Sequence, residues 1–358
     1  MFDYSYVINR INNISSNMNC DHTNEYSFLQ SNPNLDQNII LIGLGGSHAY
    51  GTNNADSDLD IRGVATNSGR NIIIGKDFEQ VVDIETDTTI YSFDKIVKLL
   101  CSCNPNTIEM LGLKPEHYLY ISSLGKLLIK NKKLFLSQIA AYTFGGYAHA
   151  QLRRLENKAA RLVSQSEQEA HILRSINHAE IELNTRYQQK DKDAIKLYID
   201  KTDREGYDTE IFADVNLKHY PLRDFKDYMN DFNAVIRSYS KIGKRNEKAI
   251  EHNKLGKHMM HLVRLYLMCF DILEKEEINT YREDEHDFLM SIRNGEYLDD
   301  NRQPIPEFYD IVNEYESRLA YAQNNTSLPE KVDIEAVNDL LEEVNLRVVC
   351  DSHRCQIS

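Results

Sequence analysis

The chain predicts an α+β fold, a small mixed sheet with helices followed by a mostly helical second part. Three observations carry this. Strand-like runs cluster before residue 92, helical periodicity of 3.6 dominates after residue 137, and the character changes between about 130 and 137. We place the boundary there, giving domains 1–135 and 136–358. A length of 358 residues suffices for two cores.

Tyr4 to Asn17 carries spaced apolar residues and predicts a helix, whereas 19–38 is polar and loop-like. Ile39–Leu44 is a short apolar run, predicted as a strand. Leu59–Thr66 and Gln80–Tyr91 follow as strands, the latter with β-branched enrichment from Thr86. Ser92 has the position of an N-cap for the helix over Lys95–Cys101. Asn104-Pro105-Asn106 interrupts, and helices are predicted at 107–113 and 125–135. Further helices are predicted at 137–164, 167–189, 191–201, 244–275 and 333–348.

The most informative stretch runs from Leu44-Gly45-Gly46-Ser47 to Asp58-Leu59-Asp60-Ile61-Arg62. A Gly-Ser turn follows an apolar strand, and a carboxylate pair begins eleven residues beyond Ser47. On a regular strand Asp58 and Asp60 share one face while Leu59 and Ile61 enter the core. Adjacent carboxylates repel unless a cation lies between them, which points to Mg²⁺ beneath a nucleoside triphosphate. A calcium loop from Asp56 fails, because Ile61 and Asn67 stand where Gly and Glu are needed. The dinucleotide fingerprint fails at His48, and the Walker pattern is absent.

Glycine lets backbone approach an anion closely, and amides at a helix start attract it. Gly46 and Ser47 are therefore candidate phosphate contacts. A third carboxylate is expected among Asp83, Glu85 and Asp87, which would share one face of a continuous strand, so spacing alone does not choose.

The net charge of −14 is concentrated in residues 265–358, which hold 22 acidic and 8 basic side chains; residues 1–264 are balanced. That acidic region could face a protein partner. Arg237 to Arg264 contains eight Lys or Arg against Glu247 and Glu251, a local field suited to phosphate. Lys257, His261 and Arg264 follow i, i+4, i+7, as do Tyr147, Gln151 and Arg154. Both sets are candidate nucleotide-binding faces, with pairing to acids as the competing reading. The longest apolar run, near Leu262–Phe270, is broken by Arg264, so no membrane span is expected. The N-terminus lacks a signal-peptide pattern and the six cysteines lack zinc spacing, so the expectation is a cytoplasmic chain with reduced thiols.

Together these residues resemble the RlaP-type branch of the DNA polymerase beta superfamily of nucleotidyltransferases. Besides the Gly-Gly-Ser and Asp-Ser-Asp-Leu-Asp motifs, the segments Glu85–Lys95, Asn104–Leu111, Gly146–Leu155, Lys257–Leu265 and Ile292–Glu296 are similar to that branch. The resemblance implies a minimal nucleotidyltransferase palm followed by an α-helical domain closing a nucleotide cleft. It selects Asp87 as third carboxylate, beside Asp58 and Asp60, for two Mg²⁺ ions, with Mn²⁺ as a substitute. It implies an NTP, with ATP favoured, and an RNA 3′ end as acceptor. Transfer of AMP to a protein or small molecule is the alternative, and a non-catalytic nucleotide-binding protein the remaining one.

Overall fold

Ile39–Leu44 forms strand β1, and all six of its residues are buried, as expected for a strand covered on both faces. In the computed structural model, residues 2–14, 24–54, 57–160, 195–201, 209–216, 221, 229, 232–233, 255–300 and 303–357 are described. Strands β2 (Ile61–Ala65), β3 (Gln80–Asp83), β4 (Thr88–Ser92) and β5 (Tyr118–Ile121) complete a sheet of order β3-β4-β2-β1-β5. β2 and β4 run parallel, and the other neighbours are antiparallel, so the sheet is mixed.

Helix α1 (Tyr4–Ile14) precedes the sheet and buries Val7, Ile8 and Ile11. The polar stretch that follows contains the short α2 (Phe28–Ser31). α3 (Gly46–Tyr50) follows β1, and α4 (Gly69–Ile73) follows β2. α5 (Phe93–Cys101) starts at the expected cap, where the Ser92 hydroxyl accepts from Lys95 N. Asn104 likewise caps α6 (Pro105–Ile108), with proline at the first turn, where its missing N–H costs nothing. α7 (Ser123–Lys130) and α8 (Ile139–Ala160) follow.

Three sequence expectations need correction. The strand expected over 59–66 starts at Ile61, so Asp58 and Asp60 precede it instead of standing on it. The strand expected over 80–91 is a hairpin. Asp83 Oδ1 accepts from Thr86 N at 3.0 Å and Thr86 Oγ1 at 2.9 Å, which turns the chain at 84–87. The helix expected over 191–201 is strand β6 (Ile195–Lys201), paired in full register with β7 (Thr209–Val215). Ile195, Leu197 and Ile199 alternate with Lys196, Tyr198 and Asp200, a period of two that outweighs helical propensity. The helix expected over 167–189 lies outside the described residues, as does most of the basic segment before 255.

After the hairpin come α9 (Leu255–Lys275), α10 (His286–Asn294), α11 (Pro306–Asn325) and α12 (Ile334–Ile357). The chain divides into two compact units. One holds Met1–Gln151, Met260–Asn294 and Tyr309–Ser358; the other holds Leu152–Met259 and Gly295–Phe308. This grouping differs from a break at 135/136, because the late helices share the core of the sheet. Leu265, Met268, Cys269 and Ile272 of α9 and Val337, Leu340 and Val344 of α12 join the cluster containing Leu41, Ile61, Ile90 and Phe93. Gly69 at the start of α4 permits close approach of α12, since a Cβ there would lie 2.6 Å from Ser352 Oγ. No helix among the described residues is long and apolar enough to cross a membrane.

Candidate active site

At the end of β1 the chain turns through Gly45, extended at φ −117°, and Gly46, at φ +55°. Gly45 N donates to Asp60 O at 2.8 Å, which extends the β1–β2 pairing and brings Asp60 beside the turn. Only glycine fits at 46 for two reasons. Its φ is left-handed, and a Cβ would lie 1.6 Å from Asp60 Oδ2. Ser47 is buried at the start of α3, which ends at Gly51, also left-handed at φ +75°.

Arg62 on β2 gathers the acids. Its Nη1 donates to Asp87 O at 2.7 Å and Ile61 O at 2.9 Å, and both Nη atoms reach Asp87 Oδ1 at 3.3 Å. Asp60 Oδ1 lies 3.7 Å from Nη2. Asp87 takes a left-handed backbone, φ +43°, as the chain enters β4. Its carboxyl is held below the ordinary carboxylate range, first by a hydrogen-bond contact with Asp60, with burial opposing and Arg62 adding to the lowering. Two carboxylates in such contact need a shared proton or a cation, and Asp87 is open to solvent with its side chain 59% exposed.

Oxygen donors of this kind fit a hard divalent ion. Asp58 is exposed in the loop before Asp60, and no group of three His, Cys, Asp or Glu gathers at ligand distance among the described residues. The structure thus brings together Gly46, Asp60 and Asp87. It leaves Asp58 on the approach. Asp83 is occupied in its turn and Glu85 is exposed at the tip, so the three acids do not share a face.

Behind α3 lies a second polar cluster that sequence reasoning undervalued. Glu109 is buried, and both its oxygens accept from Tyr50 Oη, at 3.0 and 2.9 Å. Arg264 Nη1 lies 3.3 Å from Glu109 Oε2, and its guanidinium stacks 3.6 Å from the Tyr50 ring centroid. Burial pushes the Glu109 carboxyl up, opposed by Arg264 and Tyr50, and also pushes the Tyr50 phenol up. Thr280 Oγ1 adds a 2.6 Å bond to Glu109 O. Arg264, a candidate phosphate contact with pairing to an acid as the competing reading, follows the competing reading: it is 4% exposed and held by a buried acid. A guanidinium on an apolar helix face needs a partner once buried, and Glu109 supplies it.

The other helical candidates are dispersed. The His261 ring meets Tyr50 edge-on at 6.1 Å. Tyr147 is exposed, and Gln151 Oε1 is buried with no hydrogen-bond partner. Lys257 is exposed and falls in the second compact unit, and the side chain of Arg154 lies outside the described residues. Sequence reasoning gave no role to Arg293, in the last turn of α10, although it lay in a recognised motif. Its guanidinium bonds Thr52 O and reaches Ser57 Oγ at 3.4 Å, anchoring both ends of the loop before Asp58.

The chain is 22% identical over 342 residues to an uncharacterized 38.9 kDa protein from the nrdC-mobD intergenic region of Enterobacteria phage T4, with 86% of this chain and 96% of that protein aligned. No solved structure matches it. The family model of the RNA repair pathway DNA polymerase beta family matches residues 20–198, a segment that contains the glycine turn, all three acids and Glu109. The chain belongs to that family, RlaP, within the DNA polymerase beta superfamily of nucleotidyltransferases.

Proposed function

We propose that the protein transfers a nucleoside monophosphate from an NTP, ATP by preference, to the 3′ hydroxyl of an RNA, with release of pyrophosphate. The observation that carries this is the Asp60–Asp87 carboxylate pair, bracketed by Arg62 and set against the Gly46 turn. Asp58, Asp60 and Asp87 are the residues to hold two Mg²⁺ ions, which supply charge neutralisation of the triphosphate and acidify the acceptor hydroxyl. The amides of Gly46 and Ser47 take the β- and γ-phosphates. Asp87, ionised and exposed, orients the acceptor hydroxyl and receives its proton. The hydroxyl oxygen forms a bond to the α-phosphorus while the bond from that phosphorus to the bridging oxygen breaks, and pyrophosphate leaves. Arg62 keeps both acids in place throughout.

In this reading residues 1–135 carry the catalytic machinery, and the helices of 136–358 supply nucleotide contacts through Tyr147, Gln151 and His261. The RNA acceptor rests on the RNA repair description of the family. The test is incubation with Mg²⁺ and each labelled NTP, with total RNA or cell lysate, beside an Asp58→Ala/Asp60→Ala control. Label in RNA that needs both acids is expected. Label in protein would replace the acceptor, and no acid-dependent transfer to any acceptor would refute the enzymatic reading.

A further inference from the structure

A cavity of about 490 Å³ opens on the side of α3 turned away from the acids. Gly46 and Tyr50 share one helix face, toward Asp60 and Glu109, while His48 stands on the opposite face and lines the cavity. Its other walls include Asn13 of α1, Asn53 after α3, His117 before β5, and Tyr281. The volume is that of a small-ligand site.

The lining selects a neutral planar ring over an anion. Three rings, His48, His117 and Tyr281, surround the space together with two carboxamides, and each carboxamide both donates and accepts. Burial holds the His117 imidazole below its ordinary pKa, hence neutral at pH 7, and its Nδ1 is buried with no hydrogen-bond partner. Among the described residues Arg10 is the permanent cation of the lining, and its guanidinium is held by the carbonyls of Tyr118 (2.8 Å) and Glu116; Lys114, whose Nζ lies 3.6 Å from the Tyr281 ring centroid, is paired with Glu283 at 3.2 Å. A phosphate would meet little net attraction there. Stacking rings beside amides that read ring edges are the means by which proteins hold an unpaired nucleobase.

We propose that this cavity is a nucleobase subsite distinct from the NTP site, and that it takes a base of the acceptor strand. The second clause rests on the RNA-directed reading above; the first does not. An occupant would touch Asn53, in the loop whose two ends Arg293 anchors and which leads from the glycine turn to Asp58. Base binding and the placing of Asp58 would thereby share one loop.

The experiment uses the full chain in EDTA, so that binding does not depend on divalent ions. Anisotropy of an end-labelled single-stranded RNA octamer is measured beside calorimetric titration with AMP, CMP, GMP and UMP. His48→Ala and Asn53→Ala should each weaken binding about tenfold, the scale of losing one stacking or edge contact. Asn53 is exposed, so its variant keeps the fold, and thermal melts check both. Octamer binding with weak mononucleotide binding supports the acceptor strand. Mononucleotides binding as tightly as the octamer would keep the base subsite and overturn the acceptor assignment. No binding of either probe, or binding insensitive to both substitutions, overturns the proposal. The RNA-transfer reading stands or falls separately, on acid-dependent labelling.

Discussion

Replacing Glu109 by Gln tests whether the buried cluster behind α3 is an ion pair that the fold requires. Gln keeps the volume and can still accept from Tyr50, which now lies within 3.0 Å of both carboxylate oxygens. What it removes is the charge opposite Arg264, which is 4% exposed and has an Nε already buried without a partner. Breaking a buried pair in this way costs about 3–5 kcal/mol. For 358 residues unfolding together, the entropy near the midpoint is about 0.75 kcal/mol/K, so the melting temperature should fall by ~4–7 °C. Adding Arg264→Met removes the stranded charge, and the double variant should recover most of the loss. Calorimetry of the wild type, single and double variants measures both effects. A single variant that melts like wild type, or a double variant no better than the single, would refute the ion-pair account.

Two further outcomes follow from the turn and the acids. Gly46→Ala must strain a left-handed backbone and push Asp60 aside, so transfer measured with labelled NTP should fall by at least about 100-fold, the scale of a 1 Å misplacement of catalytic groups. Wild-type rates in that variant would exclude the turn from the site. Arg62→Gln removes a cation that helps hold Asp87 ionised, so the acid limb of the kcat/KM profile should move to higher pH. An unmoved limb would show that Asp87 does not titrate in the reaction.

Much of the sheet was legible because its signals are local. The run Ile39–Leu44 is apolar throughout and ends in glycines, and Ser92 and Asn104 are caps whose side chains reach amides two or three residues on. The glycine turn and Asp60 were legible for the same reason, although the strand expected to carry Asp58 begins only at Ile61. The third acid was not settled by spacing, because a side-chain turn at Asp83–Thr86 breaks the strand on which the periodicity depended. Contacts made over long sequence separations left the weakest trace. Arg264 reads as a basic residue on a helix, and nothing local shows that its partner lies 155 residues earlier. Arg293 likewise reaches Thr52 across 241 residues.

Those long-range contacts bear on where the site ends. The carboxylates divide by environment: Asp87, exposed beside Arg62, is held low, whereas Glu109, buried beneath Tyr50, is held high. The first suits an acid that stays charged in water, the second an acid whose place is inside. Glu109 is therefore not a metal ligand in waiting, since Tyr50 and Arg264 already occupy its oxygens. Its work is to fix Tyr50, at the end of the helix that begins at Gly46. Arg264 of α9, Thr280 and Arg293 of α10 all lie beyond residue 198, where the family match stops, yet they hold Glu109 and the loop before Asp58. The matched segment has the acids and the turn but not the counter-ion that makes burial of Glu109 tolerable. The alignment with the phage protein, which spans most of both chains, reaches across that gap. The candidate site is thus built from the sheet and completed by helices more than 150 residues away, and a fragment ending at residue 198 would leave Glu109 buried without its cation.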